Sequence, residues 1–251
     1  MSAAIELEGV SLIREGRRIL DKVSLSFADK ECTVVMGSSG SGSSVLLKTA
    51  AGLITPDEGR VMAWGHDLEI MPAQEQFLFH GKTGFVFQDA ALWANMNGFQ
   101  NISLPLQFHC RRMQPAEVAA HVGEMLAEFG FTANIEQRPV NFSTGEQKII
   151  SFMRAMILEP SLLFVDDPTA SVDNASAQRI LGILKKRKDR GQTLIIKTND
   201  PRYTQRLADK LVILRAGRIV EQGSFDEVRA SRDPYVMETL SENLSQDESA
   251  L

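Results

Sequence analysis

The sequence predicts an α/β fold with a mainly parallel core sheet, an antiparallel β subdomain at the N-terminus and an inserted helical subdomain. Three observations carry this expectation. Short apolar strands alternate with segments of helical period, the order that gives a parallel sheet with helices on its faces. The opening residues instead hold two alternating apolar/polar runs around a turn, as in an antiparallel pair. Residues 90 to about 158 keep helical character, with Pro115 and Gly130 near the ends of one helix.

The elements follow in order. IELEGVSLI and VSLSF read as strands around a turn at Glu15-Gly16. CTVVMG is a compact apolar strand that runs into a Gly/Ser cluster, and VLLKTAAGL beyond it has helical spacing. Residues from about 60 to 88 read as short strands ending in GFVFQD. PAEVAAHVGEMLAEFGF and GEQKIISFMRAMILEP are the helices of the inserted lobe, the second stopping before Pro160. SLLFVDD is a buried-type strand ending in two carboxylates. NASAQRILGILKKRKDRG is an amphipathic helix whose basic end complements the helix dipole. QTLIIKTND is a further apolar strand, and KLVILRAGRIVEQG a hairpin across Ala216-Gly217. Residues 1–240 read as one domain and 241–251 as a polar, fraying tail.

Composition bounds the function. A chain of 251 residues with 43% hydrophobic and 24% charged residues has material for one large core. A net charge of −5 gives no concentrated basic face, so no nucleic-acid partner is expected. Cys32 and Cys110 make no disulfide framework and read as reduced thiols of a cytosolic protein. MSAAIELEGV lacks the basic and apolar regions of a signal peptide. No apolar run approaches the ~20 residues that span a bilayer. A membrane role would therefore be that of a peripheral subunit.

The chemistry begins at MGSSGSGSSVLLK. Gly37, Gly40 and Gly42 let the backbone curl so that several N–H groups face one anion, and the next helix adds its positive dipole end. The residues Gly37, Ser38, Ser39, Gly40, Ser41, Gly42, Ser43, Ser44 and Val45 form this phosphate-binding candidate, with a plain structural turn as the alternative. The motif G-x-x-x-x-G-K-[ST] places lysine where Ser43 stands; Ser44 keeps the hydroxyl that binds Mg²⁺. Lys48, five residues further on, turns about 500° around the helix and is no substitute.

Further motifs follow in a fixed order, and together they resemble the ABC ATPase family, with its P-loop NTPase fold, from about Ile5 to Leu240. Gln88 in VFQD looks like the Q-loop, FSTGEQ (Phe142 to Gln147) the LSGGQ signature, and LLFVDD the Walker B strand. ASVD (Ala170 to Asp173) looks like the D-loop and IIKTND the switch segment. The resemblance implies ATP and Mg²⁺ as cofactors. It implies that Asp166 holds the metal with Ser44 and Gln88, and that Asp167, Asn199 and Gln88 serve catalysis. Ser143, Gly145 and Glu146 would reach the γ-phosphate of an opposite subunit. Arg14 stands at the adenine-stacking position, where a guanidinium stacks on a ring or is an exposed turn residue. Trp93, Met96 and Phe99 are either a groove for a permease's coupling helix or ordinary core. DAALWANMNGFQNISLPL, Arg14 and DPYVMETL are most similar to cassettes of Mla-type, MCE-associated lipid transport systems.

Four positions depart from the family pattern: Ser43 for lysine, Thr144 for glycine, Asp167 for glutamate and Asn199 for histidine. Loss of one preorganised donor costs roughly 3–4 kcal/mol of transition-state stabilisation, and a shorter carboxylate misplaces water by about 1 Å. Weak or absent hydrolysis by the chain alone is the expectation. Three functions stay open: a transport ATPase on the cytoplasmic face of the inner membrane with transmembrane permease subunits; a degenerate, regulatory cassette paired with an active second cassette; and a soluble non-transport protein. The second of these implies a heterodimer; in the first the dimer is homomeric or heteromeric.

Overall fold

The computed structural model describes residues 2–244. β1 (Ala3–Arg14) and β2 (Arg17–Ala28) pair antiparallel through Glu15-Gly16, both at positive φ, 51° and 75°. That is the two-residue turn whose twist matches a hairpin. β3 (Cys32–Met36) leads through the Gly/Ser loop into α1 (Ser43–Ala50), followed by β4 (Glu58–Ala63) and β5 (His66–Asp67). The antiparallel sheet has the order β2-β1-β4-β5.

One expectation fails in the next segment. Residues 60–88, read as strands throughout, include α2 (Ala73–Lys82) before β6 (Thr83–Val86). Only Phe79 of α2 is buried, while Phe77 and Leu78 are exposed. With Phe79 its one buried residue, α2 carries no apolar stripe of helical period for the sequence to show.

The helical lobe is α3 (Gly98–His109), α4 (Pro115–Phe129) and α5 (Thr144–Met156). Pro115 sits at the first turn of α4 and Gly130 closes it in the left-handed region, φ 56°, as the sequence indicated. Then come β7 (Leu162–Asp166), α6 (Asn174–Asp189), β8 (Thr193–Lys197), α7 (Pro201–Leu207), β9 (Lys210–Arg215), β10 (Arg218–Gly223), α8 (Phe225–Arg229) and α9 (Pro234–Leu244). The β9–β10 turn at Ala216-Gly217 again has both residues at positive φ. α9 runs through Leu244, so residues 241–244 of the segment expected as a tail are helical; residues 245–251 lie outside the described residues.

The second sheet has the order β10-β9-β3-β8-β7-β6, parallel except for the β10 edge. Its strands are apolar on both faces. Cys32, Val34, Leu163, Val165, Leu194 and Ile196 face one core with the helical lobe. Val35, Leu162, Phe164 and Ile195 face a second core with α1 and the antiparallel sheet. The period-2 alternation of side chains feeds both layers. Gly84 of β6 lets α5 close in, since a Cβ there would lie 2.3 Å from the Ala155 carbonyl oxygen.

All the parallel strands end at one edge, where ligands of open α/β sheets bind. β8 lies between β3 and β7, so whatever ends β8 stands between the Gly/Ser loop and the Asp166-Asp167 pair.

Cys32 is fully buried in β3, and burial pushes its thiol far above the ordinary range. A thiol reagent at pH 8 should label at most one cysteine per folded chain, the half-buried Cys110, and two after denaturation. Two fast-reacting thiols in the folded protein would contradict this packing.

Candidate functional site

The Gly/Ser loop is shaped by close approaches. A Cβ on Gly37 would lie 2.5 Å from the Leu214 carbonyl oxygen, and one on Gly42 2.6 Å from that of Ile19. Gly42, at φ 94°, is the N-cap of α1 and supplies no side-chain cap. The first N–H groups of α1 therefore have no side-chain acceptor and remain available to an anion. The Gly217 amide donates to the Ser41 carbonyl oxygen, so the β9–β10 turn braces the loop from outside. Ser38 and Ser39 are exposed, while Ser41 and Ser43 are buried with their hydroxyls 3.2 Å apart. No lysine reaches in from Ser43's position; the buried side chain there is a short hydroxyl.

Ser44 and Asp166 meet as the motifs implied: the Ser44 hydroxyl donates to Asp166 Oδ1 at 3.1 Å. Asp166 is buried, and burial pushes its carboxyl above the usual range while Lys197 and the Ser44 hydroxyl pull it back. Lys48, one turn behind Ser44 on α1, adds a smaller pull in the same direction. Asp167 has φ 46°, and its amide donates to the Lys197 carbonyl oxygen. The Lys197 ammonium in turn donates to the Asp167 carboxylate and lies 3.7 Å from Asp166 Oδ1.

Asn199 is already engaged. Its amide donates to the Gly37 carbonyl oxygen at 3.1 Å and accepts from the Gly37 N–H at 3.2 Å. It ties the switch segment to the start of the loop through one N–H and the oxygen of its amide, and the amide has a second N–H to donate. Gln88 is exposed just after β6, and its carbonyl oxygen accepts from Lys148.

Lys148 holds this corner together. It is fully buried on α5, and its ammonium donates to the carbonyl oxygens of Phe87 at 2.7 Å, Asp166 at 2.9 Å and Gln88 at 3.4 Å. Burial pushes its pKa down to about 8, against the pull of Asp166 and Asp167. Two turns on, Arg154 donates to the carbonyl oxygens of Ala90 and Ala91, both at positive φ. The segment after β6 is thus clamped to α5 by two cations.

The signature residues cap α5. Ser143 accepts from the Glu146 amide, and Glu146 accepts from the Ser143 amide at 2.8 Å. Ser143 and Thr144 are exposed, and Gly145 packs near the Ser171 carbonyl oxygen, which would lie 3.1 Å from an added Cβ. Among the described residues no hydrogen bond joins Ser143, Gly145 or Glu146 to the phosphate loop of the same chain. Arg14 ends β1, half-exposed, with its guanidinium on Asp57 at 3.3 Å. Of the three groove candidates only Trp93 is exposed; Met96 and Phe99 are half-buried and Phe99 packs on the core.

Three contributors escaped the sequence reading: Lys197, Lys148 and Tyr235. The Tyr235 hydroxyl accepts from the Ser38 amide at 3.1 Å and donates to the Leu214 carbonyl oxygen. The signal available for the lysines was a cation breaking an apolar run, in LIIK and in QKII.

A strand, a glycine-rich turn, an uncapped helix start and a serine–aspartate pair define a phosphate-binding P-loop protein. The comparisons narrow this. A family model for the ABC transporter matches residues 20–170. The methionine import ATP-binding protein MetN of Corynebacterium efficiens is 31% identical over 89% of this chain and 64% of its own length. The Fe(3+) ions import ATP-binding protein FbpC of Streptomyces coelicolor is 34% identical over 89% of this chain and 63% of its own. A dimeric ATP-binding cassette bound to ADP and Pi superposes with a TM-score of 0.81 at 26% identity, over 88% of this chain and 98% of that one. The chain belongs to the ABC transporter family, whose cassettes bind ATP. It spans just under two thirds of the length of these two curated relatives.

Lys148→Met removes the ammonium that donates to the carbonyl oxygens of Phe87, Gln88 and Asp166, leaving Phe87 only the longer bond from the Ala90 amide. Loss of about 2 kcal/mol or more is expected, a fall in Tm of roughly 4–8 °C for a chain of this size. An unchanged melting curve would show that the clamp does not hold the corner.

Proposed function

We propose that this chain is an ATP-binding subunit of an ABC transporter, energising or regulating transport by a transmembrane permease partner. The observation that carries this reading is the Ser44–Asp166 pair set beside the uncapped start of α1. A hydroxyl and a carboxylate are hard oxygen donors. They suit Mg²⁺, which is held by one or two protein groups with phosphates and water completing its shell. Ser44 and Asp166 would hold the ion, with Gln88 near by; bound there, it supplies charge neutralisation to the β- and γ-phosphates. The P-loop residues Gly37 to Val45 would take the phosphates, and Arg14 the adenine if it leaves Asp57.

The exposed signature supports pairing with a second cassette, whose phosphate loop Ser143, Gly145 and Glu146 would face. The dimeric cassette cited above gives the precedent. No helix among the described residues is long and apolar enough to cross a membrane. Together with the import roles in the relatives' names, this supports a peripheral place on the cytoplasmic face. The lipid substrate has only the resemblance to Mla-type cassettes behind it. The relatives cited above are named for methionine and Fe(3+) import, so the transported substrate is left open in this reading.

A second reading, a regulatory cassette beside an active one, is favoured by one observation. The carboxylate that would polarise the attacking water, Asp167, is occupied by Lys197.

The test is phosphate release by the complex purified through this chain, set against the same complex carrying Asp166→Asn or Asp167→Asn. Turnover that falls about 100-fold or more in the variants is expected for a chemistry that depends on this site. Turnover unchanged by either substitution would move the chemistry to the partner and leave the regulatory reading. A chain that neither binds ATP nor co-purifies with a transmembrane protein would overturn both.

A further inference from the structure

Lys197 stands where the fold places it, between the phosphate loop and the carboxylates. In the parallel register it lies opposite Val35 of β3 on one side and Asp166 of β7 on the other. Neighbours in register project on the same sheet face, which is the face that α1 covers. The side chain is largely buried, with 14% exposed. Its ammonium contacts Asp167 and sits 3.7 Å from Asp166 Oδ1, the oxygen that also accepts from Ser44. The cation is therefore one carboxylate oxygen away from the first turn of α1.

The charges of the site call for such a group. Ser43 leaves the loop without a cation, while Asp166 and Asp167 place two negative charges at its side. A polyphosphate entering there meets repulsion unless one positive charge is present. Lys148 cannot serve, because it is buried on α5 and fully used by three carbonyl oxygens. Lys48 sits four residues past Ser44, about 6 Å further down the helix. Arg14 ends β1 on the antiparallel sheet, away from the ends of β7 and β8 that carry the two aspartates. Lys197 alone combines position at the sheet edge with a flexible four-carbon stem and a contact it can exchange.

We propose that Lys197 is the phosphate-binding cation of this site, replacing from β8 the charge that Ser43 omits from the loop, and that it exchanges Asp167 for the terminal phosphate of bound nucleotide. Asp167 is masked until nucleotide arrives and is freed by its arrival. The inference rests on the nucleotide-binding reading above and adds to it the residue that reads the terminal phosphate.

The test is equilibrium binding of ATP and ADP, each with and without Mg²⁺, to the full chain. It uses wild type, Lys197→Met, and Lys197→Met combined with Ser43→Lys. A charge-assisted contact of this kind predicts ATP binding at least about 10-fold weaker in Lys197→Met, with ADP affected less. Returning the cation to the loop through Ser43→Lys should restore ATP affinity to within about threefold of wild type. A purely structural role for Lys197 would not be rescued from the other strand. Should Lys197→Met fold poorly with Asp167 left unpaired, Lys197→Met with Asp167→Asn removes both charges and gives the same comparison against Asp167→Asn alone. ATP affinity that is unchanged or tighter without Lys197 overturns the inference and leaves nucleotide binding intact. Absence of ATP binding by the wild type overturns both.

Discussion

Two aspartates at the end of one buried strand cannot be left without a counter-charge, and the architecture of the site follows from how this chain supplies it. Asp166 is nearly inaccessible and Asp167 sits beside it in a left-handed conformation. Lys197 reaches both from the adjacent strand, while the Asp167 amide returns a hydrogen bond to the Lys197 carbonyl oxygen. The ends of β7 and β8 are thereby locked as a unit. The positive charge moves from the loop to the sheet, a change that leaves the glycines, the helix start and Ser44 undisturbed.

The same aspartate strand is tied to the helical lobe. Lys148 joins the Asp166 carbonyl to those of Phe87 and Gln88, and Arg154 fixes the two strained alanines that follow. Burying an ammonium is unfavourable unless every donor finds an acceptor. Here three carbonyls satisfy it, so a displacement of α5 carries Gln88 and the Asp166 backbone with it. That is the mechanical property a subunit needs if a partner bound to the helical lobe is to sense the state of the phosphate site.

What was legible in the sequence was local. The loop glycines, the two X-Gly turns and the Pro115-to-Gly130 helix each need only their neighbours to be understood. α2 was hidden because its apolar residues are mostly exposed and leave no helical stripe. α9 takes in residues 241–244, read from their composition as tail, because polar composition does not by itself stop a helix. The contacts of Lys197, Lys148 and Tyr235 were illegible because their partners lie 30, 60 and 197 residues away. Asn199 was assigned a role from its place in a motif. Its amide turned out to be bound to Gly37, which only the adjacency of β3 and β8 brings within reach.

The central claim, that this site keeps a phosphate-binding cation at Lys197, is tested most directly by a crystal structure of the chain with Mg²⁺ and a non-hydrolysable ATP analogue. The account predicts the Lys197 ammonium within about 3 Å of a terminal phosphate oxygen and no longer on Asp167. A bound analogue with Lys197 still on Asp167, and the terminal phosphate met only by backbone N–H groups and serine hydroxyls, would contradict it.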